Sequence, residues 1–254
     1  MRKLSAALLI LLVAAPATRA DWKLTATETD SAYTGLQHRH VVLENPASGD
    51  RVTVELALFD PKQCTLRVID NAEGKDSLSH AMQREGSVAG VNGGYFDPNF
   101  APIGLRIVDG KTTAPLQRAR LLTGVLISSP RGIEMVRVGE FSRRGKFDAA
   151  VECGPFLVDL GLRVRGLDDT RSARRTFAAA ARGGRAALGY CTEVSLAQLA
   201  EILSSVSLAE NFKIWRAMNL DGGSSSGFWF AKDGEPFSIA EQKTVRDFVA
   251  IVPR

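Results

Sequence analysis

The sequence predicts an α+β fold, a single domain of mixed, mainly antiparallel sheet with few helices. Three observations predict it: period-two alternation early in the chain, short apolar runs cut by glycine and proline through the middle, and one strongly signalled helix. Residues 22–70 are strand-like, with clear alternation over 51–59 and 64–69. Residues 77–84 suit one short helix. An apolar strand over 88–91 then runs into the turn Asn92-Gly93-Gly94-Tyr95-Phe96. Further strands are expected at 105–108, 121–128, 151–158, 176–181 and 186–191. Ser195 with Gln198 makes a capping box, and Leu196, Leu199, Ile202 and Leu203 recur at helical spacing, so a helix runs to about Ser204. A strand at 214–220 leads into Asp221-Gly222-Gly223-Ser224-Ser225-Ser226-Gly227, and 245–251 is the closing strand.

The chain has 254 residues, 45% hydrophobic and 24% charged, enough to bury a real core. Its charge is less basic than the total suggests. Residues 1–20 carry Arg2, Lys3 and Arg19 and no acid; without them 29 bases face 28 acids. A body so nearly neutral argues against nucleic acid as a partner. The same 20 residues read as a secretory leader: a basic start, an apolar run from Leu4 to Ala15, Pro16, and the small-residue site Thr18-Arg19-Ala20. The expected mature domain is 21–254, periplasmic or secreted. No later run approaches the ~18 to 20 apolar residues of a membrane helix.

Cys64, Cys153 and Cys191 are odd in number and sit in apolar contexts, which suits buried small hydrophobes; one Cys153–Cys191 bridge is the other reading. His38 and His40 share one strand face with no carboxylate or cysteine cluster beside them in sequence, so no metal site is expected. Gly223-Ser224-Ser225-Ser226-Gly227 satisfies G-x-S-x-G, but a hydrolase triad needs a later histidine, and none follows His80. The same loop lacks the Gly-Lys-Ser/Thr ending of a Walker A loop, and no G-x-G-x-x-G opens a helix. No cofactor is expected.

Two glycine pairs, Gly93-Gly94 and Gly222-Gly223, each follow an apolar strand and a polar residue, Asn92 or Asp221. Two tight turns presenting polar side chains and bare amides at a common edge have the geometry of a site. Between 163 and 185 stand seven arginines and no lysine. Most suit a solvated loop and hairpin, but Arg174 and Arg175 stand directly before an apolar strand, where a guanidinium fork would grip phosphate or carboxylate.

Val91-Asn92-Gly93-Gly94-Tyr95-Phe96, Pro102-Ile103-Gly104-Leu105, Cys153-Gly154-Pro155-Phe156-Leu157, Arg174-Arg175-Thr176 and Asn219-Leu220-Asp221-Gly222-Gly223-Ser224-Ser225 occur in an order that resembles the phosphodiester glycosidase family, over about residues 88–252. The resemblance implies a mixed α+β domain that cleaves between a sugar's anomeric carbon and a phosphodiester oxygen, with a sugar phosphodiester or phosphoglycan as its partner. Arg174 stands where many members have proline, and Gly189-Tyr190-Cys191-Thr192-Glu193 replaces a strand end that is often Asp-Gly-Arg. On this basis Asp221, Arg175 and Glu193 are the candidate catalytic residues, with Glu152 as another carboxylate. Asn92, Gly93, Gly94, Tyr95, Arg174, Thr176, Asn219, Gly222 and Gly223 are the candidate substrate-binding set. A non-catalytic exported glycan-binding protein would use the same residues.

Overall fold

Alternating and short apolar segments become strands throughout the computed structural model, which describes residues 22–254. In chain order the elements are β1 (Lys23–Tyr33), β2 (Leu36–Glu44), β3 (Arg51–Phe59), β4 (Cys64–Asp70), α1 (Leu78–Arg84), β5 (Ala89–Asn92), β6 (Arg106–Val108), β7 (Lys111–Ala114), β8 (Gly124–Ser129), β9 (Gly132–Arg137) and β10 (Ala149–Cys153). There follow β11 (Phe156–Asp159), β12 (Leu162–Arg163), β13 (Ala173–Ala181), β14 (Ala186–Val194), α2 (Leu196–Ser205), β15 (Ile214–Asn219), β16 (Phe228–Phe230), β17 (Phe237–Ile239) and β18 (Asp247–Pro253). The expected leader lies outside the described residues. No helix among the described residues is long and apolar enough to cross a membrane.

The strands form three antiparallel sheets. The largest has the order β1-β2-β3-β14-β13-β15-β11-β12; two smaller ones have the orders β7-β6-β10-β8-β9 and β17-β16-β5-β18-β4. One face of the large sheet packs on both small ones through a core that includes Ala178, Leu188 and Met218 on one side and Val91, Val151 and Val249 on the other. Its opposite face is covered by α2, whose Leu199, Ile202 and Leu203 pack on Phe177, Leu157 and Ala217. The expected cap holds: Ser195 Oγ accepts from Gln198 N and Gln198 Oε1 accepts from Ser195 N. α1 closes the outer face of the third sheet with Leu78, Ala81 and Met82 against Phe248 and Ala250.

Two boundaries differ from expectation in ways that matter for the site. The single strand expected at 151–158 is two strands in different sheets, because the chain turns at Gly154-Pro155. Gly154 has φ +155°, and a Cβ there would lie 2.3 Å from the Leu121 carbonyl oxygen, so only glycine fits. β13 begins at Ala173 rather than Thr176, so Arg174 and Arg175 belong to the strand, beside a register shift against β14.

Candidate active site

The end of β5, the start of β13 and the end of β15 meet where a small sheet faces the large one. Asn92 closes β5 and is the knot of this junction. Its Nδ2 donates to the Asp221 carbonyl at 2.8 Å, while its Oδ1 accepts from Thr176 Oγ1 at 2.7 Å and from Gly227 N at 3.1 Å. The Asp221 N–H returns to the Gly93 carbonyl at 3.0 Å. Both glycine turns are thereby tied to the large sheet. With both lone pairs of Oδ1 used, Asn92 keeps at most one N–H for a ligand.

The Gly93 and Gly94 amides correct the sequence reading, because neither is bare. Gly93 N donates to the Asp247 carbonyl at 2.8 Å and Gly94 N to Asp247 Oδ1 at 2.9 Å. Asp247 Oδ2 in turn accepts from Arg106 Nε at 2.8 Å, both side chains being about 2% exposed. A Cβ on Gly94 would lie 1.8 Å from Arg106 Nη2, so the glycine pair makes room for a buried ion pair. Arg106 spends its other donors on the carbonyls of Leu105, Glu152 and Tyr95, at 3.0 to 3.1 Å. Sequence reading passed over both partners; the available signal was a charge interrupting an apolar run, as in Leu105-Arg106-Ile107 and Arg246-Asp247-Phe248. Asp247→Ala is expected to cost roughly 3–5 kcal/mol in urea unfolding, since it strands a buried guanidinium and leaves the Gly94 amide without its acceptor.

Asp221 stands just past β15, partly exposed. Burial raises its carboxyl pKa; the neighbouring Ser225 hydroxyl, the Lys243 ammonium and the Gly222 N–H, which donates to Oδ1 at 3.0 Å, pull the other way. Ser225 Oγ itself is buried and has no hydrogen-bond partner among the described residues. Lys243 lies over the Phe96 ring, 4.7 Å from its centroid, and the Gln242 N–H donates to the Ser224 carbonyl. The 241–243 segment therefore rests on both turns.

Arg175 is 8% exposed and forms no ion pair among the described residues. Its Nε donates to the Val194 carbonyl at 2.9 Å and its Nη2 to that of Arg171 at 2.6 Å, which fixes the guanidinium plane. Nη1 points toward the Asp221 turn, 3.8 Å from where a Gly222 Cβ would stand. Burial lowers its pKa. Tyr95 Oη donates to the Gly154 carbonyl at 2.6 Å and accepts from Asn219 Nδ2 at 3.3 Å. Its pKa is raised, by burial first and then by Cys153 and Asp221, so it stays a neutral phenol. Asn219 is buried at 2%, its Nδ2 shared among Tyr95 Oη and the Gly154 and Leu220 carbonyls, its Oδ1 without a partner. Gly223 has φ +64° and open space around it, and opens the short turn Gly223–Ser225, whose N-cap is Gly222.

The other expected residues lie apart from Asp221. Arg174 donates to the Ser226 and Ala240 carbonyls and stacks on Tyr190 at 5.3 Å, bracing the loop behind the Asp221 turn. Thr176 is fully buried and acts through Asn92. Glu193 is exposed and lines a separate depression with Trp22, Arg51 and Gln198. Glu152 is buried, its Oε2 taken by the N–H groups of Leu105 and Gln117. Arg163, Arg182 and Arg185 are scattered onto Glu201, Trp215 and Gln37. The histidines do have a carboxylate between them: His38 Nε2 and His40 Nδ1 meet the two oxygens of buried Glu55, at 2.8 and 2.7 Å. The three cysteines are free and buried, with burial pushing the Cys153 thiol up to about 12.

Comparison with known proteins places this geometry in a family. No curated protein matches the chain in sequence. Among solved structures, the catalytic domain of zebrafish N-acetylglucosamine-1-phosphodiester alpha-N-acetylglucosaminidase, auto-inhibited by its pro-peptide, is similar with a TM-score of 0.65 at 16% identity. That match covers 92% of this chain and 88% of the other. A hypothetical protein from Synechocystis gives 0.65 at 15% identity over 91% of this chain, which spans 64% of that relative's length. A protein described as exported, from Burkholderia pseudomallei K96243, gives 0.54 at 14% identity, over 81% of this chain and 75% of that one. Such identities speak for the fold alone. A family model matches residues 85–252, from the end of α1 into β18 and across both glycine turns, and the chain therefore belongs to the phosphodiester glycosidase family.

Proposed function

We propose that this chain is an exported hydrolase that cleaves the bond between a sugar's anomeric carbon and a phosphodiester oxygen. The observation that carries the reading is Arg175, a buried guanidinium with no carboxylate partner among the described residues, fixed with Nη1 toward the Gly222 backbone of the turn that carries Asp221. A buried cation without an anion is costly, and a phosphate group would supply the missing charge. Arg175 Nη1 binds a phosphate oxygen in this reading. Asp221 faces the anomeric carbon, as nucleophile, base or electrostatic stabiliser of the oxocarbenium-like transition state. Tyr95 and Asn219 brace the turn on its other side, both on the Gly154 carbonyl.

Neither Glu193 nor Glu152 reaches Asp221, and the chemistry accommodates that. A phosphate monoester leaves as an anion, so it needs less proton donation than an ordinary alcohol leaving group. One carboxylate near the carbon and one cation at phosphate then suffice. The alternative is a non-catalytic exported protein that binds glycan or phosphoglycan; the exposed Glu193, turned to a separate depression at the altered end of β14, favours it. Mass spectrometry of envelope phosphoglycans incubated with the purified protein decides between them. Release of free sugar supports the enzyme, and retention of the intact ligand supports the binder.

Export rests on the leader in residues 1–20. The mature protein is expected to begin at Asp21 and to lie in the periplasm or outside the cell. N-terminal sequencing of protein recovered from those fractions checks this; an intact leader on protein confined to the cytoplasm would contradict it.

A further inference from the structure

A second concave surface lies on the outer face of the sheet built from β7, β6, β10, β8 and β9. It is a cleft of about 470 Å³, within the range of small-molecule sites. Its floor is apolar: Leu105 and Ile107 are buried beneath Leu116, Phe141 and Phe147. The two phenyl rings pack at 5.3 Å with a tilt of 34°. Gly145 makes this possible, since a Cβ there would lie 2.3 Å from the tip of the Phe147 ring. The rim is cationic, with Arg143 and Lys146 exposed on the loop that carries both rings.

No carboxylate lines the cleft. Of the acids flanking its loops, Glu140 is paired with Arg216 and Asp109 with Arg67, while Asp148 is exposed and outside the lining. Among the described residues, two cations without a carboxylate partner thus stand over a floor of Leu105, Ile107 and two phenyl rings, which suits a hydrocarbon with an anionic head better than a polyhydroxylated sugar. From this we infer that the cleft binds an anionic amphiphile, its chain on Leu105, Ile107 and the phenyl pair and its head between Arg143 and Lys146. This site does not depend on how Asp221 is read.

Calorimetric titration of the mature protein with monomeric dodecyl phosphate tests it, with dodecyl maltoside, inorganic phosphate and a sulfated oligosaccharide as comparisons. Dodecyl phosphate should bind more tightly than all three. Arg143→Glu with Lys146→Glu should weaken dodecyl phosphate at least about tenfold, the scale of a lost charge-assisted contact, and leave dodecyl maltoside unchanged. Leu116→Asp should weaken both amphiphiles. The charge-reversed variant should keep wild-type melting and, where sugar release is measurable, wild-type turnover. Binding that survives charge reversal but is lost in Arg175→Lys would place dodecyl phosphate at the Asp221 pocket and overturn the proposal. So would equal affinity for inorganic phosphate, or tighter binding of the sulfated oligosaccharide.

Discussion

Asp221→Asn lowers sugar release from a sugar-1-phosphodiester by roughly a hundred- to ten-thousand-fold while changing ligand affinity little. The lost charge matters chiefly when positive charge develops at the anomeric carbon, so kcat falls and KM does not rise. The stability effect has the opposite sense to that of a structural residue. Burial raises the folded-state pKa of Asp221 above its unfolded value, near 4. Its proton therefore contributes stability below pH 4 that is lost as pH rises through the folded pKa. Asparagine carries no charge to desolvate, so the variant should melt at or above the wild type at pH 7, with the difference shrinking toward pH 4. Wild-type turnover should fall on the acid side with a midpoint above the usual carboxylate value. Kinetics and scanning calorimetry across pH check both limbs; a variant that melts well below the wild type at pH 7 would make Asp221 structural.

Arg175→Lys should weaken phosphorylated ligands by about 10- to 100-fold and neutral sugars hardly at all. Lysine keeps the charge but loses the planar donor set, and its ammonium cannot at once satisfy the carbonyls of Val194 and Arg171 and reach toward Gly222. Titration of a sugar-1-phosphate and of the free sugar into both proteins measures the difference. Equal losses for the two ligands would mean that the arginine serves only the two carbonyls.

Most of the sheet was legible because its strands carry their own signal. Alternation marked β3 and β4, the Ser195–Gln198 box marked α2, and the strands that feed the glycine turns ended within a residue of the expected positions. Strands such as β9 and β16 were not foreseen, since Gly132–Arg137 is half polar and Phe228–Phe230 is too short for a period to show. The site was legible as a list of positions but not as a set of roles. Asn92, Thr176 and Asn219 read as ligand donors because a sequence cannot show which groups the protein itself will satisfy. Glu193, at the end of β14, was read from the sequence as a candidate catalytic carboxylate; it is exposed instead, on a separate depression. Arg106 in β6 and Asp247 at the start of β18 lie 141 positions apart in different sheets, and the pairing of β18 with β5, Phe248 opposite Asn92, sets Asp247 beside the glycine turn they support.

The central claim is that the carbon–oxygen bond, and not the phosphorus–oxygen bond, is broken. Turnover of a defined sugar-1-phosphodiester in water enriched in heavy oxygen tests it most directly, with both products read by mass spectrometry. Attack at the anomeric carbon places the label in the released sugar and leaves the phosphate monoester unlabelled. Label in the phosphate monoester, with none in the sugar, would show attack at phosphorus and contradict the account.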